Sequence, residues 1–172
     1  MPRCVVRWVK TMGPAVAAGE GNDMSEHRAN VTWARNGNDF NHESYNRDHV
    51  LSFENGIEIK ASAAPAFQGN PDCVDPEEAL VGALSSCHML TFLAIAAKKR
   101  LTVARYEDNA VGFLETNADG RMAVTRAILR PKVEWDGEKT PSPEEIEKMH
   151  EKAHRACFIA NSVLTEVSIE PR

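Results

Sequence analysis

"DPEEALVGALSSCHMLTFLAIAAKKR", residues 75–100, decides how the rest of the chain must fold. Its start reads as a helix N-terminus: Asp75 caps it, Pro76 stands where a missing N–H costs nothing, and Glu78 closes a capping box. Its end reads equally well, because Lys98, Lys99 and Arg100 place cations at the negative pole of the helix dipole. At 1.5 Å per residue the helix extends about 36 Å. It is apolar nearly all round, and such a helix must be covered on every side. One small sheet covers one face. The other face is expected to meet a second copy, so the spacing predicts a homodimer.

Length and composition set the limits. A chain of 172 residues, 42% hydrophobic and 26% charged, suits one ordinary globular domain. A net charge of −5 excludes nucleic acid as a partner, since phosphate binding needs clustered Lys and Arg. No basic amphipathic stripe points to a membrane surface. The polar residues within the long helix, His88 among them, are read as leaving no membrane span. Residues 1–23, "MPRCVVRWVKTMGPAVAAGEGND", carry Arg3, Arg7 and Lys10 before a small-residue run, without the long apolar centre of a secretory signal. They are read as a loosely ordered extension, with the folded domain over 24–172 and the cytoplasm as its compartment.

The flanking pattern is α+β. "HRANVTWARN" (27–36) alternates as a first strand, and "RDHVLSFENGIEIKAS" (47–62) places two β-prone runs around Asn55-Gly56, a strong hairpin signal. After the long helix, "VARYEDNAVGFLET" and "RMAVTRAILRPKVEW" alternate about a turn at Asp119-Gly120. "SPEEIEKMHEKAHRACFIAN" (142–161) repeats the helix opening, with Ser142, Pro143 and Glu145 in the capping roles. Its apolar positions Ile146, Met149, Ala153, Ala156 and Cys157 recur at helical spacing. "SVLTEVSIE" closes the chain as a strand. Antiparallel strands around two helices are expected.

The long helix carries Cys87 at its centre, and Cys157 falls on the buried face of the second helix. Cys4 and Cys73 complete the four cysteines, and no C-x-x-C occurs. Buried cysteine often serves as a small hydrophobe. Two inward-facing thiols also satisfy a redox mechanism, in which a thiolate attacks peroxide, becomes sulfenic acid and condenses with the second thiol. Thiolate supply is the difficulty, because a free thiol ionises near pH 8.5 and apolar burial raises that value. The dipole of the helix fades within a turn and does not reach Cys87. A cation from another element is needed, and Arg47 at the first hairpin is the leading candidate, with Arg35 its rival. Glu77 supplies the carboxylate that a buried arginine requires. His88 and His154 raise a Cys2His2 metal site, but adjacent residues such as Cys87 and His88 point about 100° apart on a helix. No metal and no cofactor are expected.

Three segments together resemble the OsmC/Ohr family, the osmotically inducible and organic hydroperoxide resistance proteins, over roughly Ala29 to Glu170. "DPEEALVGALSSCHM" is similar to its N/D-P-E segment, with the first cysteine ten residues after Glu77. "AHRACFIANSV" resembles its second-cysteine helix, and "RDHVLSFENG" the hairpin whose arginine lies nine residues before a turn glycine. The resemblance implies an OsmC/Ohr-like fold and an intertwined homodimer with active sites at the interface. It also implies a thiol peroxidase acting on organic hydroperoxides in oxidative stress defence. Cys87 would be the peroxidatic thiol, Cys157 the resolving thiol, and Arg47 with Glu77 the activating pair. A small or protein-bound dithiol, lipoyl-type included, would be the reductant. Met89, Phe92 and Phe158 read most simply as core residues, but they neighbour the two cysteines, and an apolar substrate site built from them would favour organic hydroperoxides over hydrogen peroxide.

Phe158 stands where many members carry proline, and Cys73 is additional to the pattern. Glu77 and Cys87 lie about 15 Å apart along one helix, so a Glu77–Arg47 pair would serve the partner's Cys87 rather than its own. The competing function is a non-catalytic dimeric module that binds an apolar ligand or a partner protein.

Overall fold

The computed structural model describes residues 25–172 apart from residue 38. The proposed extension over 1–23, with Cys4, lies outside the described residues. Helix α1 spans Pro76–Lys98 and begins with the full capping box. The Glu78 amide donates to Asp75 Oδ1 at 2.7 Å, and the Asp75 amide donates to Glu78 Oε2 at 3.2 Å. Helix α2 spans Pro143–Arg155 behind Ser142, built the same way. Leu84, His88, Phe92 and Ala96 recur every fourth residue as the buried stripe of α1. Phe92 and Ala96 meet Met149 and Ala153 of α2, and with Leu101 they form the core.

Strands β4 (Thr102–Asp108), β5 (Val111–Thr116), β6 (Met122–Leu129) and β7 (Pro131–Asp136) make one long antiparallel ribbon, with β5 on β6 and β4 on β7. The ribbon breaks on both sides at the same level, at residues 109–110 and at Arg130. Asp108 fills the break, its Oδ1 accepting from the Arg130 amide at 2.6 Å and its Oδ2 from Ser85 Oγ of α1 at 2.5 Å. The kink is thereby tied to the long helix. Gly112 on β5 allows the same approach, since a Cβ there would lie 2.5 Å from Val81 Cγ2 of α1. Valine is stiff at χ1, so that clash would push helix and ribbon apart.

Three readings of the sequence need correction. Helix α2 stops at Arg155 rather than near residue 161, its last turn tightening as the Cys157 amide donates to the His154 carbonyl at 3.2 Å rather than to that of Ala153. Cys157 therefore sits in the turn beyond the helix. Strand β8 (Glu166–Ile169) pairs parallel with β6, which the α2 crossover permits. Helix α1 is long and apolar enough to span a membrane by length and composition, contrary to expectation. In this fold it is wedged against α2 and the ribbon.

Strands β1 (Ala29–Thr32), β2 (His49–Phe53) and β3 (Glu58–Ala61) form a separate antiparallel sheet. Val31, Phe53 and Ile57 remain exposed on it. A small sheet needs a packed face for stability, and this arm finds little of one within its own chain.

The loop between β3 and α1 folds back tightly at Gly69. A Cβ there would lie 1.5 Å from the Ala63 carbonyl oxygen, a clash with backbone rather than with a yielding side chain. Gly69→Ala is expected to cost roughly 2 kcal/mol and lower the Tm by about 5 °C. A thermal melt with an unchanged midpoint would show that this loop relaxes freely.

Candidate active site

Half-buried Cys87 on α1 and buried Cys157 after α2 are neighbours, close enough for the Cys87 thiol to act on that of Cys157. Both cysteines are free thiols. Burial, and then the neighbouring Cys87, push the Cys157 thiol up from its ordinary value. The Ala160 amide, 3.4 Å from Cys157 Sγ, acts weakly the other way. Cys157 is thereby held as a neutral thiol at neutral pH. Cys73 lies before the N-terminus of α1, about 16 Å of helix from Cys87.

His88 follows Cys87 directly but points into the α1–α2 contact. Its Nε2 lies 3.0 Å from Nδ1 of His150, and the two rings lie edge to edge, their planes within 7° and their centroids 5.4 Å apart. His88 Nδ1 and His150 Nε2 are buried without partners. With both rings neutral, one proton sits in the shared bond and the other on an unpartnered outer nitrogen. Burial first, then the field of His154, lowers His88 to about 4. Burial and His88 lower His150 to about 4. The inner nitrogens are occupied by each other and the outer ones face apart, so His88 and His150 converge on no common point. His154 has its own buried, unpartnered Nδ1. His150 was missed in the sequence, although it stands four residues after Ile146 on the buried face of α2.

The other expected residues are dispersed within one chain. Arg47 donates to the Tyr45 and His42 carbonyls at 2.9 and 3.0 Å and to Gln68 Oε1 at 2.9 Å. Its guanidinium lies 4.1 Å over the Tyr45 ring. Glu77 lines a different groove, shared with Met89 and Asp108. Among the described residues the two form no ion pair with each other. Arg35 is exposed in the segment after β1.

The expected apolar substrate site is not assembled either. Phe92 is a core side chain with no exposed surface, its ring 4.3 Å from that of His150. It is withdrawn as a substrate contact because its surroundings are already filled. Phe158, by contrast, is 80% exposed beside Cys157.

An OsmC-like protein signature matches residues 69–172, which carry both helices, Cys87 and Cys157. This chain belongs to the OsmC-like family. It is 50% identical to an OsmC-like protein of unknown function from Vibrio cholerae, over 87% of this chain and 100% of that one, with a TM-score of 0.84. An organic hydroperoxide resistance protein from Elizabethkingia anophelis shares the fold at 16% identity, covering 86% of this chain and 94% of that one, with a TM-score of 0.64. The corresponding Bacillus subtilis protein does so at 13% identity, over 86% and 98%, with a TM-score of 0.62. No curated protein matches the sequence. The fold is therefore that of the OsmC/Ohr proteins, an α+β arrangement of two helices and mostly antiparallel sheets. The OsmC-like signature leaves out residues 25–68, the arm that carries Arg47.

Proposed function

We propose that this OsmC-like protein is a cytoplasmic thiol peroxidase that reduces organic hydroperoxides in oxidative stress defence. The placing of the Cys87 and Cys157 thiols as neighbours, on the two helices that the OsmC-like signature covers, carries the reading. Two of its fold neighbours are organic hydroperoxide resistance proteins, which agrees with it.

Cys87 thiolate attacks the outer peroxide oxygen; the O–O bond breaks and an S–O bond forms. Sulfur loses two electrons, and the departing alkoxide takes a proton to leave as the alcohol. The Cys157 thiol then attacks the sulfenic sulfur, forming the disulfide and releasing water. An external dithiol restores both thiols and leaves as its own disulfide. Burial suits Cys157 to the second role, since a thiol kept neutral is a poor first nucleophile.

The active assembly is an intertwined homodimer. Leu90 and the small residues Ala79, Ala83, Ser86 and Ala94 leave a face of α1 exposed, and the β1–β3 arm lacks a packed face of its own. Laying each arm on the partner would cover both surfaces. It would also bring Arg47 and Glu77 of one chain to Cys87 of the other, a reach that about 15 Å of helix denies within a chain.

Mixing a Cys87→Ser chain with a Glu77→Ala chain tests this directly. If sites are shared, each heterodimer holds one intact and one doubly damaged site, and activity reappears. Verified heterodimers without recovered activity would exclude the cross-subunit site. Loss of two thiols per chain after one equivalent of hydroperoxide separates an enzyme from a binding module.

A further inference from the structure

Between the end of β1 and the start of β2, the arm builds a second constellation that the peroxide chemistry above leaves unused. Trp33, Phe40 and Tyr45 form an aromatic row, each neighbouring pair of rings 5.7 Å apart between centroids. With Arg47, His49 and Pro76 they border an open cavity of about 580 Å³, within the 300–1,000 Å³ range of small-molecule sites. The row is held in place. Trp33 Nε1 donates to the Asn46 carbonyl at 2.6 Å, and Asn41 Oδ1 accepts from the Ser44 amide and hydroxyl at 3.0 and 2.8 Å. Phe40 stands between the Trp33 and Tyr45 rings and is 68% exposed.

The polar groups of this cavity have a defined sense. His49 Nδ1 lies 2.9 Å from the Arg47 carbonyl oxygen, which can only accept, so Nδ1 carries a proton and in the neutral ring Nε2 presents a lone pair. Arg47 uses three of its five N–H groups on His42, Tyr45 and Gln68, which leaves two donors. One end of the cavity thus offers both a cationic donor and a neutral acceptor, and the rest offers ring faces. Pro76, the first residue of α1, closes the side towards Glu77.

We infer that Trp33, Phe40 and Tyr45 form a recognition wall for aryl hydroperoxides. A ring packs on Phe40 and Trp33, while the peroxide O–H donates to His49 Nε2 and an oxygen accepts from Arg47. This rests on the peroxidase reading for its chemistry, but the wall itself is a binding site and is testable without turnover. Discrimination comes from ring stacking. Tert-alkyl hydroperoxides meet the same polar groups and lose the stacking contact, worth a factor of roughly three to ten for one aromatic neighbour.

The experiment uses the full chain with Cys87→Ser, so that no reaction occurs, and the unreactive alcohols 2-phenyl-2-propanol and tert-butanol. Tryptophan fluorescence titration is expected to show the aryl alcohol binding about tenfold more tightly. Adding Phe40→Ala should cut that ratio roughly three- to tenfold, and Phe40→Tyr should restore it. Because Phe40 is largely exposed, neither variant endangers folding, which circular dichroism confirms. In the chain with Cys87 intact, the kcat/KM ratio of cumene to tert-butyl hydroperoxide should fall by the same factor in Phe40→Ala. Equal binding of the two alcohols overturns the wall, as does a ratio indifferent to Phe40; this is the result expected if a second copy already covers these rings. Selective binding without any peroxide turnover upholds the wall and removes the peroxidase reading. Turnover with a Phe40-independent ratio does the reverse.

Discussion

Cys87→Ser is expected to abolish hydroperoxide consumption, a loss of at least a thousandfold, because a serine hydroxyl does not ionise near neutral pH and cannot attack the O–O bond. Cys157→Ser should behave differently. Attack at Cys87 remains possible, but the thiol that traps the sulfenic acid is gone. That variant should consume about one equivalent of cumene hydroperoxide and then stall or over-oxidise. Mass spectrometry should find oxygen added at Cys87 in the variant and a Cys87–Cys157 disulfide in the oxidised parent. Cys73 is the one complication in the described chain. Its place beyond the far end of α1 means that Cys73→Ser should form the bridge at the parental rate. Normal turnover by Cys157→Ser alongside failure of Cys73→Ser would exchange their roles and contradict the thiol pairing on which the reading rests.

What the sequence disclosed divides along physical lines. Helix starts were legible because capping is local: Asp75 with Glu78, and Ser142 with Glu145, act over three residues. The hairpin at Asn55-Gly56 was legible for the same reason, its Gly56 turning with φ 78°. The end of α2 was not, because apolar spacing continues through Ala156 and Cys157 while the backbone has already turned. Nor was the kink in the ribbon, which depends on Asp108 finding both the Arg130 amide and Ser85 across the fold. Cys87 and Cys157 were legible as neighbours from the family spacing, although Cys157 lies in the turn beyond α2 and not on the helix face that apolar spacing gave it. His150 was hidden because a histidine among Glu and Lys reads as surface until α1 is laid against it. The aromatic row was hidden because Trp33, Phe40 and Tyr45 fall in an irregular segment, where no periodicity signals that they meet.

The pair His88–His150 should also make the fold acid-sensitive well above the carboxylate range. Each histidine takes up a proton near pH 6.5 when unfolded and only at about 4 when folded. Between those values the unfolded chain binds more protons, so stability falls as pH drops from 6.5 towards 4 and is level above about 7.5. Burial is the main cause for both rings; His154 adds to it at His88, and Asp108 opposes it there. The shift alone would give roughly 2 kcal/mol per ring by pH 5. Allowing for screening by water that reaches the pair, and for repulsion between two protonated rings, a combined loss of about 2–3 kcal/mol is expected. Urea midpoints at pH 7.5 and pH 5.0 measure it. Replacing His150→Phe removes one titrating ring and strands Nε2 of His88. That variant should start about 1–3 kcal/mol less stable at pH 7.5 and lose less on acidification. A parent whose midpoint does not move between these pH values would mean the pair is hydrated or already protonated in the fold. The consequence reaches the thiols, because the pair sits in the same α1–α2 contact that holds Cys157 against Cys87. Protonating both rings would set two positive charges against each other at the level of the sulfurs. The rate of Cys87–Cys157 bridge formation in sulfenylated protein should therefore fall below pH 5 more steeply than the roughly tenfold per pH unit that loss of the Cys157 thiolate alone gives, whereas a rate that follows the thiolate alone until the chain unfolds would disconnect the histidines from the chemistry.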